Sequence, residues 1–451
     1  MLKYSNYHRL HIFCSMSLPA SVVSVDTMSK KRKTMAVSLP TTIFDPVHRE
    51  YELGPEIMDI INTPTFQRLR RLKQLATAQW VWLGATHTRF EHSISVAYLA
   101  GHMATTLHRK QPELCITARQ IVLVQLAGLL HDVGHGPFSH LFDDIFLTDH
   151  TSPMAHHEQR SVSIVAQLLS DSHFPYGVEE IAFVQSLIAP SKGQEGFLYH
   201  IVANQVNHLD VDKMEYIKRD ARACGLSTGG FDTDTMRIIN AARVIDGHIC
   251  YQKKVYEDIY NLFQTRYRLH TTVYRHPAVV AIYHMVADAL RACDAPLKDS
   301  IHDMKNFLMF DDGILDQLRH GDTAASAIVR RIDRRQLYKV VVTCKRTQPW
   351  DTMPTVSDLI AATDFEHPLT EQDMIVDFCC VGFIGKADGH PMDSIRFYDS
   401  VRPNKSVVIT RRSISTLLTP RYCEYWTRII VKDDTHAKMA QKYWDAWKSK
   451  F

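Results

Sequence analysis

Ala127-Gly-Leu-Leu-His131-Asp132-Val-Gly-His135-Gly-Pro-Phe-Ser-His140 is the stretch on which the reading of this chain turns. The residues leading into it (Ile121, Val122, Leu123, Val124, Leu126, Leu129 and Leu130) have the apolar density of a buried helix. That helix ends by presenting His131 and Asp132 side by side, and a Gly-His-Gly-Pro turn then brings His135, followed by His140 and Asp143. Burying a carboxylate beside an imidazole costs on the order of several kcal/mol unless something pairs them, and a divalent cation pairs both at once. Neutral imidazole plus carboxylate suits one divalent ion among Fe, Mn, Zn and Mg.

The bulk composition leaves room for this reading. The 451 residues, 45% hydrophobic and 22% charged, can bury a sizeable core and fill one large domain plus a smaller one. The net charge of +3 is unevenly placed. Lys3, Arg9, Lys30, Lys31, Arg32 and Lys33 against Asp26 leave +5 on the first 40 residues and −2 on the rest. A near-neutral body argues against a dedicated duplex-DNA binder. Lys30-Lys-Arg-Lys33 resembles a nuclear import tag, with a solvated basic arm as the plainer alternative. The nine cysteines form no CxxC pair and read as buried thiols of a reducing compartment. No run of 18 apolar residues exists, and His11, Cys14, Ser15 and Ser17 interrupt the segment 10–18, against a secretory signal. The expected location is intracellular, nuclear or cytoplasmic, with no membrane partner.

Periodicity predicts a basic, disordered arm over 1–44 and then an almost wholly helical stretch. Thr63-Pro64 reads as a helix start leading through 66–75, 80–83 is short and β-like, and the next helix begins at 87–93 and runs to 107. Further helices are expected over 160–169, 178–187, 196–208, 210–223, 236–244, 255–272 and 278–291. After about residue 295 two helices (299–310 and 312–319) precede β-branched segments at 337–343, 374–383, 394–398, 406–410 and 425–431, and a last helix at 436–447. The fold class is therefore mainly α with a smaller α+β C-terminal lobe over 296–451.

The chemistry is carried by residues far apart in sequence. His92 lies near a helix start, His131-Asp132 at a helix end and Asp212 in Leu209-Asp-Val-Asp212-Lys213. Two His and two Asp from three helices make a four-ligand set that leaves positions for water and a phosphate oxygen. Taken singly, His92 reads as a satisfied core histidine and Asp212 as a capping carboxylate; the His131-Asp132 pair raises both. Asp212, Tyr216 and Asp220 repeat at four-residue spacing, as do Arg266, His270 and Tyr274, so each trio shares a helix face.

The order His92, His131-Asp132, Asp212 resembles the HD phosphohydrolase superfamily. The surrounding strings are similar to the deoxynucleoside triphosphate triphosphohydrolases, in particular their SAM-and-HD-domain branch: Thr63-Pro-Thr-Phe-Gln-Arg-Leu-Arg70, Lys73-Gln-Leu75, Arg89-Phe-Glu-His-Ser93, Tyr98-Leu-Ala-Gly101, Lys110-Gln-Pro-Glu-Leu114, Gly134-His-Gly-Pro-Phe-Ser-His140, His157-Glu-Gln159 and Asp210-Val-Asp-Lys213. The resemblance covers the chain from about Asp45 on, and the residues ahead of it are too few for a SAM domain. It implies an HD phosphohydrolase domain over 45–295, with an HD core at about 87–217.

The resemblance also implies roles. His92, His131, Asp132 and Asp212 match metal ligands. Arg89, His135, His140, Asp143 and His157 match residues around a triphosphate, with His140 held by Asp143 as the expected acid. Gln74, Lys213, Tyr216, Asp220, Arg266, His270 and Tyr274 match the sugar and phosphate pocket. The implied reaction is metal-dependent hydrolysis of a dNTP to a deoxynucleoside and inorganic triphosphate, with an additional Mg accompanying the triphosphate. Gln67, Arg70, Arg243 and Arg335 match a regulatory surface for an activating nucleotide between subunits of a dimer or tetramer, while Asn62, Thr272 and Pro277 depart from that pattern. Two other readings stand beside it: another HD-type phosphohydrolase acting on phosphomonoesters or phosphodiesters, and a nucleotide or single-stranded nucleic-acid binding protein.

Overall fold

The computed structural model describes residues 39–226, 234–293, 296–363, 369–385, 389–409 and 421–450. The basic tag at Lys30–Lys33 and most of the expected arm lie outside the described residues. The arm's last part is a strand. Residues Thr41–Asp45 (β1) pair antiparallel with Arg49–Leu53 (β2), starting at Thr41 opposite Leu53. The β-branched Thr41, Thr42 and Ile43 suit a strand once that partner exists.

Pro55–Ile61 (α1) and Pro64–Gln67 (α2) follow, the latter capped by Thr63 Oγ1, which accepts from Phe66 N at 3.3 Å. The helix expected through residue 75 ends early. After a tight turn at Arg68–Arg71, Leu72 is extended and its carbonyl accepts from Arg89 N, while Gln74 N donates to His87 O. Pairing with 87–89 takes the backbone groups a helix would have used. The segment expected to be β-like, 80–83, is instead the end of a single 3-10 turn, Ala76–Trp80, and the bend after it.

Arg89–Lys110 (α3) starts at a Thr88/Glu91 capping box and Ala118–Leu130 (α4) at a Thr117/Gln120 box. The two cross closely at Gly128, where a Cβ would stand 3.1 Å from the Val96 carbonyl oxygen and 3.2 Å from Ala97 Cα. That approach brings the start of α3, with His92, beside the end of α4, with His131. His157–Asp171 (α5), Val178–Ile188 (α6), Tyr199–Val202 (α7) and Val211–Ala223 (α8) complete this core, with Asp210 capping α8 by accepting from Lys213 N at 2.9 Å.

Two expected helices are shorter. Of 196–208 only α7 is α-helical, because Asn204 Oδ1 accepts from Val206 N and Asn207 N and its Nδ2 donates to Leu209 O, offering the backbone another set of partners. Of 236–244 only the start is helical: Thr235–Asn240 (α9) leads into a hairpin of Ala242–Ile245 (β3) and His248–Gln252 (β4). Its two-residue turn, Asp246-Gly247, has φ of +50° and +75°, the Asp-Gly signature of such hairpins. Tyr256–Leu269 (α10) and Pro277–Arg291 (α11) flank a wider turn at His270–Tyr274.

The remainder is α+β: Met304–Phe307 (α12), Ile314–Arg319 (α13), Ala324–Asp333 (α14), Lys339–Arg346 (β5), Val356–Ile360 (α15), Met374–Gly382 (β6), Arg396–Asp399 (β7), Arg402–Val408 (β8), Cys423–Val431 (β9) and Ala437–Lys448 (α16). β9 lies between β5 and β6 in one antiparallel sheet. In the other sheet, ordered β3-β4-β7-β8, β4 runs parallel to β7 through Tyr251 opposite Phe397. This pairing crosses the expected boundary near 295, and from Leu39 on the chain forms one compact unit. The fold is mainly α with a smaller α+β part, as the sequence predicts. No helix among the described residues is long and apolar enough to cross a membrane.

Gly134 sets the closeness of the site loop to α5: a Cβ there would lie 2.3 Å from Ser161 N and 2.4 Å from His157 O. Gly134→Ala is expected to destabilise by about 1–3 kcal/mol or more, read as a lowered thermal midpoint, because backbone and not a flexible side chain must move.

Candidate functional site

The end of α4 places His131 and Asp132, the first turn of α3 places His92 and the first turn of α8 places Asp212. Their ligating atoms converge. His92 Nε2 is 3.4 Å from Asp132 Oδ2 and 3.2 Å from Asp212 Oδ1; His131 Nε2 is 3.4 Å from Asp132 Oδ1 and 3.4 Å from Asp212 Oδ1. His92 and Asp132 are buried, whereas the Asp212 side chain is 28% exposed, so the group opens on that side.

The other ring nitrogens are committed. His92 Nδ1 is 2.5 Å from Glu215 Oε2 and His131 Nδ1 is 2.8 Å from Gly128 O. With Nδ1–H donating in both rings, each Nε2 is left facing the carboxylates, where its lone pair becomes available once a cation takes the place of a proton. His131 Nε2 is buried without a hydrogen-bond partner. Four lone-pair donors facing one point, one of them orphaned, fit a divalent cation. Electrostatics agree. Burial pulls the His92 imidazolium down, but Glu215, Asp212 and Asp132 more than offset it and lift the group to about 10, so a proton holds the place of positive charge. Burial raises Asp132, yet Arg89 and then His131 and His135 hold it well below the carboxylate range.

A second group adjoins the first. The ligating atoms of His135, His140 and His157 also gather within 4.8 Å of one another. The His135 and His157 rings stack at 3.7 Å, and His135 Nε2 is 3.3 Å from Asp132 Oδ1. Asp143 departs from expectation. It accepts from His157 N and Nδ1, both at 2.8 Å, and from Arg160, while no hydrogen bond joins it to His140. The start of α5 is folded onto the π-turn at Phe142–Phe146, which aims Asp143 at His157. Burial opposes protonation of His157, but Asp143 and Glu158 raise its affinity for a proton above the ordinary value. Burial, Arg89 and His157 drive His135 well below it, leaving that ring neutral. Arg89 is buried, with Nε donating to Ser139 Oγ at 2.8 Å and NH1 to Asp132.

The two four-residue stripes face each other. Arg266 Nε donates to Tyr216 OH at 3.0 Å, and Tyr274 OH donates to Asp220 Oδ2 at 2.5 Å. His270 meets the Tyr274 ring edge-on at 4.8 Å. Lys213 Nζ pairs with Asp210 at 3.0 Å, and Gln74 Oε1 is buried without a partner.

Comparison with known proteins finds one family model that takes in Arg89, His92, His131, Asp132 and the three further histidines but ends before Asp212. The HD domain model matches residues 89–208 and the HD associated region matches 233–374. Deoxynucleoside triphosphate triphosphohydrolase SAMHD1 of Bos taurus is 33% identical over 490 residues, spanning 94% of this chain and 81% of that protein. The Dictyostelium discoideum SAMHD1 homolog is 34% identical, spanning 92% and 81%, and Homo sapiens SAMHD1 is 33% identical, spanning 90% and 73%. The chain belongs to the SAMHD1 family of HD-domain proteins.

Of the four residues expected from the sequence at a regulatory surface, two meet: Arg70 Nε donates to Gln67 Oε1 at 2.8 Å, with its guanidinium 3.5 Å from the Phe90 ring centroid. Arg243 donates to Asn404 Oδ1 at 2.7 Å and Arg335 to the Trp80 carbonyl at 3.1 Å.

Sequence reasoning missed several residues. Glu215 holds His92. Arg160, buried, donates to Gly134 O, Met154 O and Asp143, and Arg68 NH2 donates to His135 O at 2.9 Å. Asp312 accepts from Phe138 N at 2.6 Å and Lys73 N at 2.8 Å. Only the spacing of Glu215, one turn after Asp212, carried any signal; the others act across long sequence separations. Phe138 and Ser139 have φ of +60° and +58°, a left-handed conformation that costs side-chain-bearing residues energy, and the Asp312 contact helps impose it.

Burial pushes the Asp312 carboxyl up to about 6, against 3.8 for a free one. Between these values the folded protein holds a proton that the unfolded chain has lost, so this group's contribution falls as pH rises from about 4 to about 6. The thermal midpoint of Asp312→Asn minus that of the wild type is therefore expected to become more positive by a few degrees between pH 4 and pH 7. A difference independent of pH overturns that ionisation.

Proposed function

We propose that the chain hydrolyses deoxynucleoside triphosphates to a deoxynucleoside and inorganic triphosphate in a metal-dependent reaction. The observation that carries this is the convergence of His92, His131, Asp132 and Asp212 beside three histidines, in a chain whose relatives bear the name deoxynucleoside triphosphate triphosphohydrolase. The four residues would hold one cation, among Fe, Mn, Zn and Mg. When bound, it supplies Lewis acidity to a phosphoryl oxygen and eases deprotonation of a water.

The chain's own groups do the rest. Arg89, fixed by Ser139 and Asp132, places a guanidinium at the innermost phosphate. Lys213, Arg266 and the histidines balance the triphosphate's charge, to which a further Mg would add. Water adds to the α-phosphorus, and the bond to O5′ breaks with its electron pair moving to that oxygen. O5′ then needs a proton. His157 is the better donor than His140, because Asp143 orients its ring and favours its charged form. The Tyr274 ring, tied to Asp220 and buttressed by His270, leaves a sugar's 2′ side without room or partner for a hydroxyl.

In the finer reading, an activating nucleotide binds at Gln67, Arg70, Arg243 and Arg335 between copies of the chain, which assembles as a dimer or tetramer in the nucleus or cytoplasm. Weak single-stranded nucleic-acid binding would be secondary.

Incubating the protein with Mn(II) and each dNTP, then separating the products, tests the reaction. Inorganic triphosphate and deoxynucleoside are expected in equal amounts, and His131→Ala/Asp132→Ala should abolish both. Release of monophosphate only, or full activity in the double variant, overturns the proposal.

The acid assignment has its own test. His157→Gln should lower kcat by about 10²–10⁴-fold, the usual scale for losing a general acid, with a smaller loss for His140→Gln. The reverse order in steady-state kinetics returns the role to His140.

A further inference from the structure

Glu215 stands behind the cation ligands and belongs to a longer chain of buried charges. It lies about one turn beyond Asp212 on α8 and has no exposed side-chain surface. Oε2 takes the His92 Nδ1 hydrogen at 2.5 Å, Oε1 accepts from Arg219 Nε at 2.6 Å, and His48 Nε2 is 3.5 Å from Oε1. Arg219 NH2 donates onward to Asp45 Oδ2 and to Ser95 Oγ, each at 2.9 Å. The other Asp45 oxygen accepts from Val47 N and His48 N, both at 2.7 Å. Ser95 Oγ in turn is 3.0 Å from Tyr51 OH. Asp45, His48 and Tyr51 all come from β1, β2 or the turn between them.

A buried Glu–Arg–Asp chain is a poor device for stability, since desolvating three charges offsets most of what their attraction returns. Its chemical consequence falls on His92. Two carboxylates against one guanidinium leave a net negative charge behind the ring. An anionic acceptor on Nδ1 holds the tautomer whose Nε2 lone pair faces Asp132 and Asp212, and it makes that nitrogen a stronger donor. The hairpin contributes no ligand, yet it supplies the groups that fix Arg219, and Arg219 fixes Glu215.

We infer that Glu215 is a positioning residue for the cation site, and that the β1–β2 hairpin supports that site through Asp45 and Arg219. This rests on His92, His131, Asp132 and Asp212 being the ligand set.

The test measures Mn(II) affinity of the full chain by competition with a fluorescent chelator, alongside thermal unfolding of the metal-free protein. The variants are Glu215→Gln, Asp45→Asn and His131→Ala. Gln keeps the volume of Glu215 but offers one acceptor oxygen instead of two and no charge. Glu215→Gln is expected to weaken Mn(II) binding by about 10–100-fold, the usual cost of losing an outer-shell partner. Asp45→Asn, two links away, should weaken it in the same direction by a smaller factor and so serves if Glu215→Gln fails to fold. For both variants, saturating Mn(II) should restore kcat with the KM for dNTP unchanged. Wild-type Mn(II) affinity in both variants, or a lowered metal-free midpoint with unchanged affinity, overturns the inference. Wild-type affinity in His131→Ala instead removes the ligand set, and the inference with it.

Discussion

Two imidazoles, each with its Nε2 3.2–3.4 Å from both of two carboxylates, are the arrangement on which the rest of the structure depends. Packed together in a largely buried place, such groups are costly unless charge is balanced and every hydrogen has an acceptor. Much of the surrounding architecture meets that demand. α3 and α4 approach at Gly128 so that the start of one meets the end of the other. Gly128 also lends its carbonyl to His131. Asp210 caps α8 and so places Asp212 in its first turn. Arg89 neutralises Asp132 from one side while Glu215 directs His92 from the other.

The loop after the ligand pair is the second consequence. It must carry His135 and His140 past the candidate cation site and still meet Asp312, just ahead of α13, and it does so with Phe138 and Ser139 in left-handed conformations. Such a conformation persists only where neighbours over-determine it. Arg68 and Asp312 hold its backbone, and Ser139 Oγ bridges Arg89 and the Lys73 carbonyl. The polar groups of the site are therefore presented on a frame that is already rigid. Fixed dipoles of this kind stabilise developing charge without having to reorganise.

How much of this was legible in the linear order follows from range. The apolar run into His131-Asp132, the helix start near 87–93 and the four-residue stripe on α8 are local patterns that appear where expected, whereas of the second stripe only Arg266 lies on α10 and His270 and Tyr274 belong to the wider turn after it. The pairing of 72–74 with 87–89, which cut short a predicted helix, depends on a partner segment that periodicity cannot see. The Asp246-Gly247 turn was readable in principle, since that dipeptide is a strong hairpin signal, but the apolar residues around it also fit a helix. A boundary near 295 was natural from the change in period; β4 pairing with β7 joins the two sides because open strand edges seek partners regardless of sequence distance.

By itself the sequence determined the helical class, the two four-residue stripes and, with the order of a known family beside it, the four candidate ligands, because residue type and spacing are properties of short segments. Tertiary structure alone decided which nitrogen of each histidine faces the ligand cluster and which imidazole Asp143 holds. It also decided that a hairpin near residue 45 would share charge with a metal-ligand candidate at residue 92. Those outcomes depend on proton donors and acceptors meeting across the fold, such as Glu215 and His92, 123 residues apart, and Asp312 and Lys73, 239 apart. Hydrogen bonding acts over about 3 Å of space, and chain order does not specify which groups come that near.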